Sequence, residues 1–136
     1  LEKARTVCDL LKEQYQVDVA AIALNPADQE AMAEALAGKS AVLTTGAPGA
    51  LLLAEETWTA QPELKVLADL NAVPPGGIGG LKPTDKAKER QGKICFGPLG
   101  IGGFKMKLHK AAIAQLFVKN DLVLDAREVY ALGKNI

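Results

Sequence analysis

Two glycine-rich segments of this chain each follow a short apolar run that is typical of a buried strand. The first covers 74–80 (PPGGIGG) and the second covers 97–103 (GPLGIGG). Glycine lets the backbone approach a ligand closely and adopt positive φ angles. Because open α/β sheets bind ligands at the carboxyl ends of their strands, the spacing predicts a ligand site built around these two loops.

Small and polar residues follow two of the apolar runs and are candidate ligand contacts. Thr45, Gly46 and Ala47 end the run at 40–45, where small residues let a ligand lie against the backbone; an ordinary turn is the alternative for Gly46. Asp69 and Asn71 end the next run. The amide of Asn71 suits a hydrogen bond to a ligand, with local turn bonding as the alternative. We expect Asp69 to be structural rather than catalytic.

The second glycine segment precedes a long amphipathic stretch and supplies three more candidates, Gly100, Gly102 and Gly103. Free N–H groups and the helix dipole at a helix start suit a carboxamide or an anion. Close packing of the helix on the sheet is the alternative reason for glycine there, and both can hold.

Residue patterns for other chemistries are missing from the sequence. There is no metal-ligand spacing, no Ser–His pairing and no reactive cysteine arrangement, so no metal site and no catalytic residue are predicted. Cys95 lies inside a predicted strand and is expected in the core. The single histidine, His109, is expected at the surface or in packing.

Composition indicates a folded protein, because 49% of the 136 residues are hydrophobic and 24% are charged. No apolar run is long enough to span a membrane, no secretory signal is visible, and two cysteines are too few for a disulfide framework. We therefore expect a cytoplasmic location and no membrane partner. A nucleic-acid partner is not expected, because only 4% of residues are aromatic and the pI is near 6.8.

The net charge of zero hides an acidic first part and a basic second part. Residues 1–81 carry 5 Lys and Arg against 11 Asp and Glu, whereas residues 82–136 carry 11 against 5. The lysines between 82 and 110 either form a solvated surface or provide a positive field for an anionic ligand, such as a phosphate or a polycarboxylate.

Periodicity predicts alternating helices and strands, as in a doubly wound parallel α/β sheet. Helices are predicted over 1–15, from 26 through 36, over 104–117 and over 125–132; strands are predicted over 17–24, 40–45, 65–70 and 93–96. The loop 74–83 is the longest and is the best candidate to face a ligand.

A dinucleotide-binding fold would carry the fingerprint G-x-G-x-x-G after its first strand, and this motif is not present in the sequence. The segment 97–103 comes closest, but its spacing is wrong and too few residues follow it. The predicted strands fit best as the third to sixth of a sheet of order 3-2-1-4-5-6, which leaves a gap two strands wide. The chain is therefore predicted to be a segment of a longer protein.

Several motifs resemble the NADP-dependent methylenetetrahydromethanopterin dehydrogenases. They are ADLNAVPP at 68–75, GGIGG at 76–80, KPTDK at 82–86, FGPLGIGGFKMKLH at 96–109, TTGA at 44–47 and LDAREVYAL at 124–132. The resemblance covers nearly the whole chain. A more distant similarity exists to bifunctional methylenetetrahydrofolate dehydrogenases.

The resemblance implies a Rossmann-type domain that binds NADP or NAD, of which residues 1–136 are the C-terminal portion. It also implies a neighbouring domain that binds a tetrahydropterin, either methanopterin or folate. It implies transfer of a hydride from the methylene-tetrahydropterin to the nicotinamide, giving the methenyl form, and a homo-oligomer in the cytoplasm. Because the upstream pterin domain is missing, we expect this chain alone to be inactive. A non-catalytic nucleotide-binding or oligomerisation module is the alternative.

Overall fold

A computed structural model describes residues 1–119 and 121–136. The elements in chain order are α1 (Glu2–Tyr15), α2 (Gln29–Leu36), β1 (Ala41–Thr44), α3 (Glu55–Thr59), β2 (Val66–Asp69), β3 (Lys88–Arg90), β4 (Lys93–Phe96), α4 (Pro98–Leu116) and α5 (Ala126–Gly133). The sheet has the order β1-β2-β4-β3, with β1, β2 and β4 parallel and β3 antiparallel to β4. The chain thus has an α/β fold with a mostly parallel sheet, consistent with a Rossmann-like fold.

The core lies on one face of this sheet. Leu67 of β2 and Cys95 of β4 are paired in register and fully buried. They pack with Leu53, Trp58 and Ile78, which come from the loop before α3, from α3 itself and from the glycine-rich segment after β2. Trp58 is anchored by polar contact as well, since its Nε1 donates a hydrogen bond of 2.9 Å to the carbonyl oxygen of Gly79. The first glycine-rich segment, 74–80, called the glycine loop below, is therefore part of the core.

The opposite face of the same sheet is apolar and has no comparable cover. Alternation along the strands places Leu43, Val66 and Ile94 on this face, where they are 60%, 36% and 37% exposed. A parallel sheet is normally covered on both faces. Helices α1 and α5 are also largely uncovered, because neither of them contains a buried residue.

Most of the predicted elements are confirmed. The strands expected over 40–45, 65–70 and 93–96 correspond to β1, β2 and β4, and the four predicted helices correspond to α1, α2, α4 and α5. Asp28 caps α2 by accepting from the amide of Ala31, and Asp125 and Glu128 form a capping box at α5. The long helix α4 begins at Pro98, six residues before the predicted start.

The strand predicted over 17–24 is wrong for this chain, because that segment has no strand structure. Its apolar side chains are exposed, among them Val19 at 48% and Ile22 at 64%. A strand needs a neighbour for its backbone hydrogen bonds, and within the described residues none lies beside it. Neither a doubly wound arrangement nor the numbering of the strands as third to sixth follows from this sheet alone.

Candidate functional site

The carboxyl ends of β1 and β2 carry a buried polar cluster. Thr44 and Asp69 are paired in register, and the Thr44 hydroxyl donates to Asp69 Oδ1 at 2.8 Å. The same oxygen accepts from the amide of Asn71 at 2.9 Å, while Oδ2 accepts from the amides of Gly77 at 2.8 Å and Ile78 at 3.1 Å. Asp69 is only 3% exposed, and its four bonds fix the glycine loop to the sheet.

Gly77 is required by this cluster. A Cβ at Gly77 would collide with Asn71 Nδ2 and would lie 2.7 Å from Asp69 Oδ1 and 2.9 Å from Thr44 Oγ1. Any other residue would therefore push the polar atoms apart. The preceding residue, Gly76, has a φ of 87°, which glycine adopts without strain. The two glycines turn the loop and bring its amides onto the carboxylate.

A cavity of about 170 Å³ lies beside the cluster. Asn71 lines it and is 8% exposed, and its buried Nδ2 group has no hydrogen-bond partner among the residues that the structure describes. Lys82 lines the cavity as well and is exposed. The rest of the lining is mainly apolar, namely Ala72, Pro74, Pro75, Leu81, Pro83 and Pro98. A buried donor without a partner costs free energy.

An ion pair between Asp85 and Arg90, called the latch below, holds the loop between β2 and β3 in place. Asp85 is 5% exposed and accepts two hydrogen bonds from the Arg90 guanidinium, at 2.6 Å from Nε and 2.7 Å from Nη2. Oδ2 also accepts from the amide of Lys82 at 2.8 Å. The hydrogen bonds from Arg90, outweighing desolvation, lower the pKa of Asp85 from its ordinary value. The latch therefore fixes the backbone of Lys82 beside the cavity.

The start of α4 packs directly on this loop. The amides of Leu99 and Gly100 both donate to the carbonyl oxygen of Pro83, at 2.8 and 3.2 Å, and a Cβ at Gly100 would collide with the Asp85 carbonyl. These helix-start amides are thus bonded within the chain. Close packing, one of the two predicted reasons for glycine, accounts for Gly100.

The predicted site residues fall into separate groups. Asp69 and Asn71 come together at the cavity, whereas Thr45, Gly46 and Ala47 lie exposed just beyond the carboxyl end of β1. Gly100, Gly102 and Gly103 do not line this cavity, and a Cβ at either of the last two would meet open space. Their contacts with a ligand remain predictions. Four residues of the polar cluster and the latch were not predicted from the sequence as site residues: Thr44, Gly77, Asp85 and Arg90.

Other reactive groups do not form a second chemical site in the part of the chain that is described. No group of three His, Cys, Asp or Glu residues there is placed to hold a metal ion. Cys95 is fully buried, and burial raises the pKa of its thiol, so it is held as a protonated core residue. His109 is exposed on α4, as expected. Over residues 1–119 and 121–136, no helix is both long and apolar enough to cross a membrane.

Comparison with known proteins finds two relatives in Methylorubrum extorquens. The whole chain is 45% identical over 136 residues to the bifunctional protein MdtA, of which it covers 46%. It is 27% identical over 144 residues to an NAD(P)-dependent methylenetetrahydromethanopterin dehydrogenase, with 99% of the chain and 46% of that relative covered. The chain thus spans about half the length of the curated relatives it matches. No protein-family model matches it.

Proposed function

We propose that this chain is the C-terminal portion of the cofactor-binding domain of an NAD(P)-dependent methylenetetrahydromethanopterin dehydrogenase. The observation that carries the proposal is the cavity beyond the carboxyl end of β2, which is lined by Asn71, a residue whose buried amide nitrogen has no partner among the described residues. The name of the 27% identical relative, an NAD(P)-dependent methylenetetrahydromethanopterin dehydrogenase, supports the reaction class. The resemblance across 68–75 and 96–109 supports the same assignment.

The residues around the cavity fit a nicotinamide and the edge of a tetrahydropterin. A flat ring needs apolar walls, which the prolines and Leu81 provide, and an amide or lactam carbonyl needs a donor, which Asn71 provides. Asp69 has no free acceptor, since both its oxygens are already bonded twice. In this proposal Asp69 is a positioning residue, and Thr45, Gly46 and Ala47 let the cofactor lie close to the backbone.

The chemistry that a nicotinamide supplies when bound is acceptance of a hydride, here from the methylene carbon of the tetrahydropterin, which leaves the methenyl cation. The part of this chain is orientation and exclusion of water. Hydride transfer needs the donor and acceptor carbons held face to face. Asn71 would fix the orientation of one ring, and the apolar lining would keep water away from the reacting carbons.

The uncovered face of the sheet supports the proposal that the chain is part of a larger domain. Apolar side chains of β1, β2 and β4 are exposed there, and the segment 17–24 has no neighbouring strand. Further polypeptide that adds a strand beside the segment 17–24 and packs helices on the exposed face would complete both. The same apolar face also favours the second candidate function, a non-catalytic module that binds a nucleotide or oligomerises through this face.

Asn71→Ala in the full-length protein tests the proposed function. We expect kcat/KM for oxidation of the methylene-tetrahydropterin to fall by about tenfold, roughly 1.4 kcal/mol of lost transition-state positioning. The melting temperature should change little, because Asn71 Nδ2 makes no hydrogen bond within the chain. Steady-state kinetics with NADP and NAD, beside thermal melting, give both readouts.

Two results would contradict the proposal. If the full-length protein transfers no hydride from any methylene-tetrahydropterin, the dehydrogenase assignment fails and the non-catalytic module is favoured. If Asn71→Ala keeps the parent kinetics but melts several degrees lower, Asn71 is a turn residue and the assignment of the site is wrong.

A further inference from the structure

The loop held by the latch borders a second groove, since Lys82 and Pro83 line the cavity and Lys86 lines the groove. Its volume is about 240 Å³, and it is lined by Lys86, Gly100, Gly103, Phe104 and Lys107. The four residues from α4 are spaced by three and four positions, so they share one face of the helix. Lys86 follows Asp85 directly, and the Arg90 latch and the packing of Gly100 fix the backbone there. The groove is therefore built from parts with defined positions.

The charges around the groove are positive and are not neutralised locally. Neither Lys86 nor Lys107 forms an ion pair within the described residues. The nearest acidic residue in sequence, Asp85, is buried and already bonded to Arg90. Helix α4 carries three lysines and no acidic residue along its 19 positions. An anion in the groove would thus meet two free ammonium groups and no carboxylate.

Gly103 gives the groove its depth. A Cβ at this position would have no heavy atom within 4 Å, so packing within this chain does not demand glycine. Glycine inside a helix is unfavourable relative to alanine. An open helical position between two lysines is suited to an extended ligand that passes close to the backbone.

We infer that this groove binds the anionic tail of the tetrahydropterin substrate, while its ring occupies the cavity that the same loop borders; the inference rests on the proposed function. Lys82 at the cavity, then Lys86 and Lys107, form a series of positive charges from one site to the other. The ligand chemistry is a chain of anionic oxygens, either carboxylates or phosphate. The groove is distinct from the cavity, with no shared lining residue.

The test uses the full-length protein with three methylene-tetrahydropterins, which carry an uncharged tail, a carboxylate tail or a phosphate tail. In the variant Lys86→Gln/Lys107→Gln, we expect KM for a charged-tail substrate to rise about tenfold, with kcat unchanged. KM for the uncharged substrate should stay at the parent value. The variant Lys105→Gln/Lys119→Gln removes the same charge away from the groove and should leave all three substrates unaffected.

A size series at Gly103 probes the same groove without changing its charge. Gly103→Ala should raise KM for the charged-tail substrates less than Gly103→Leu does, because the leucine side chain obstructs more of the groove. Which of the two charged tails responds identifies the source of the anion. Equal changes for charged and uncharged substrates, or equal changes in the two lysine pairs, would overturn the inference. Absence of hydride transfer from all three substrates would instead overturn the proposed function.

Discussion

The two faces of the central sheet are both apolar, yet only one of them is a core. On the covered face, Leu67 is fully buried beneath Trp58 and Ile78, and the loops over that face are fixed by Asp69 and Asp85. On the other face, Leu43 and its neighbours are exposed, although their sequence is equally hydrophobic. The difference teaches that residues 29–100 build the cover of one face, whereas the described residues provide no comparable cover for the other.

The largest expected effect compares two leucines on neighbouring strands and opposite faces. Leu67→Ala should lower the free energy of unfolding of the 136-residue chain by about 2–5 kcal/mol, because it leaves a cavity in the core. Leu43→Ala should lower it by less than about 1 kcal/mol, because that side chain is 60% exposed. Urea unfolding followed by circular dichroism measures both.

Equal losses for the two leucines would break the comparison, since they would show that the second face is buried in solution. In a longer protein that covers this face, the cost of Leu43→Ala should increase toward that of Leu67→Ala. That increase would locate the surface that further polypeptide covers.

A smaller effect is expected at the latch that holds the loops of the covered face. Asp85→Asn leaves partly buried donors of Arg90 and Lys82 poorly bonded, and should cost about 1 kcal/mol at neutral pH. The folded pKa of Asp85 lies below its unfolded value of about 4, because Arg90 and the Lys82 amide favour the charged form. Its contribution is therefore present above about pH 4 and is lost as the pH falls through the lower, folded pKa.

The pH dependence of stability separates this charge effect from a loss of packing. The difference in unfolding free energy between the parent and Asp85→Asn should be constant near neutral pH and should shrink below about pH 4. A difference that stays the same down to pH 2 would mean that the carboxylate charge of Asp85 does not stabilise the loop.

The smallest effect is expected at Gly103 of α4, where the helix surface is open, and it is a gain in stability rather than a loss. Gly103→Ala should stabilise the chain by about 0.5–1 kcal/mol, because alanine favours the helix and its Cβ meets open space. Thermal melting of the two proteins measures this. A loss of stability would show that α4 packs more closely at Gly103 than the structure has it.

Local signals in the sequence predicted the elements well where short-range chemistry decides them. Asp125 begins the last predicted helix and does cap α5, whereas Asp28, which lay inside the helix predicted from 26, caps an α2 that begins at Gln29. The edge strand β3 was not predicted, because its three residues are all charged and show no alternation. Its turn depends on positive φ angles at Gln91 and Gly92, of 49° and 73°, and the glutamine gives little sign of that conformation.

The candidate site was predicted only in part, for a related reason. Asp69 and Asn71 stand out in sequence because they follow a strand and precede a glycine loop. Thr44 does not stand out, since its role depends on the register that places β1 beside β2. The pairing of Asp85 with Arg90 joins a loop to a strand five residues later, and no periodic pattern marks it.

The sequence by itself determined the alternation of helices and apolar strands, the capped helix starts and the positions of the glycine loops, because these depend on neighbouring residues. Only the tertiary structure decided which apolar strand finds a partner, which carboxylates are buried and bonded, and which glycine faces a wall or open space. The segment 17–24 shows the reason most directly. A strand is stabilised by hydrogen bonds to another strand, so an apolar run becomes one only where the fold provides a neighbour.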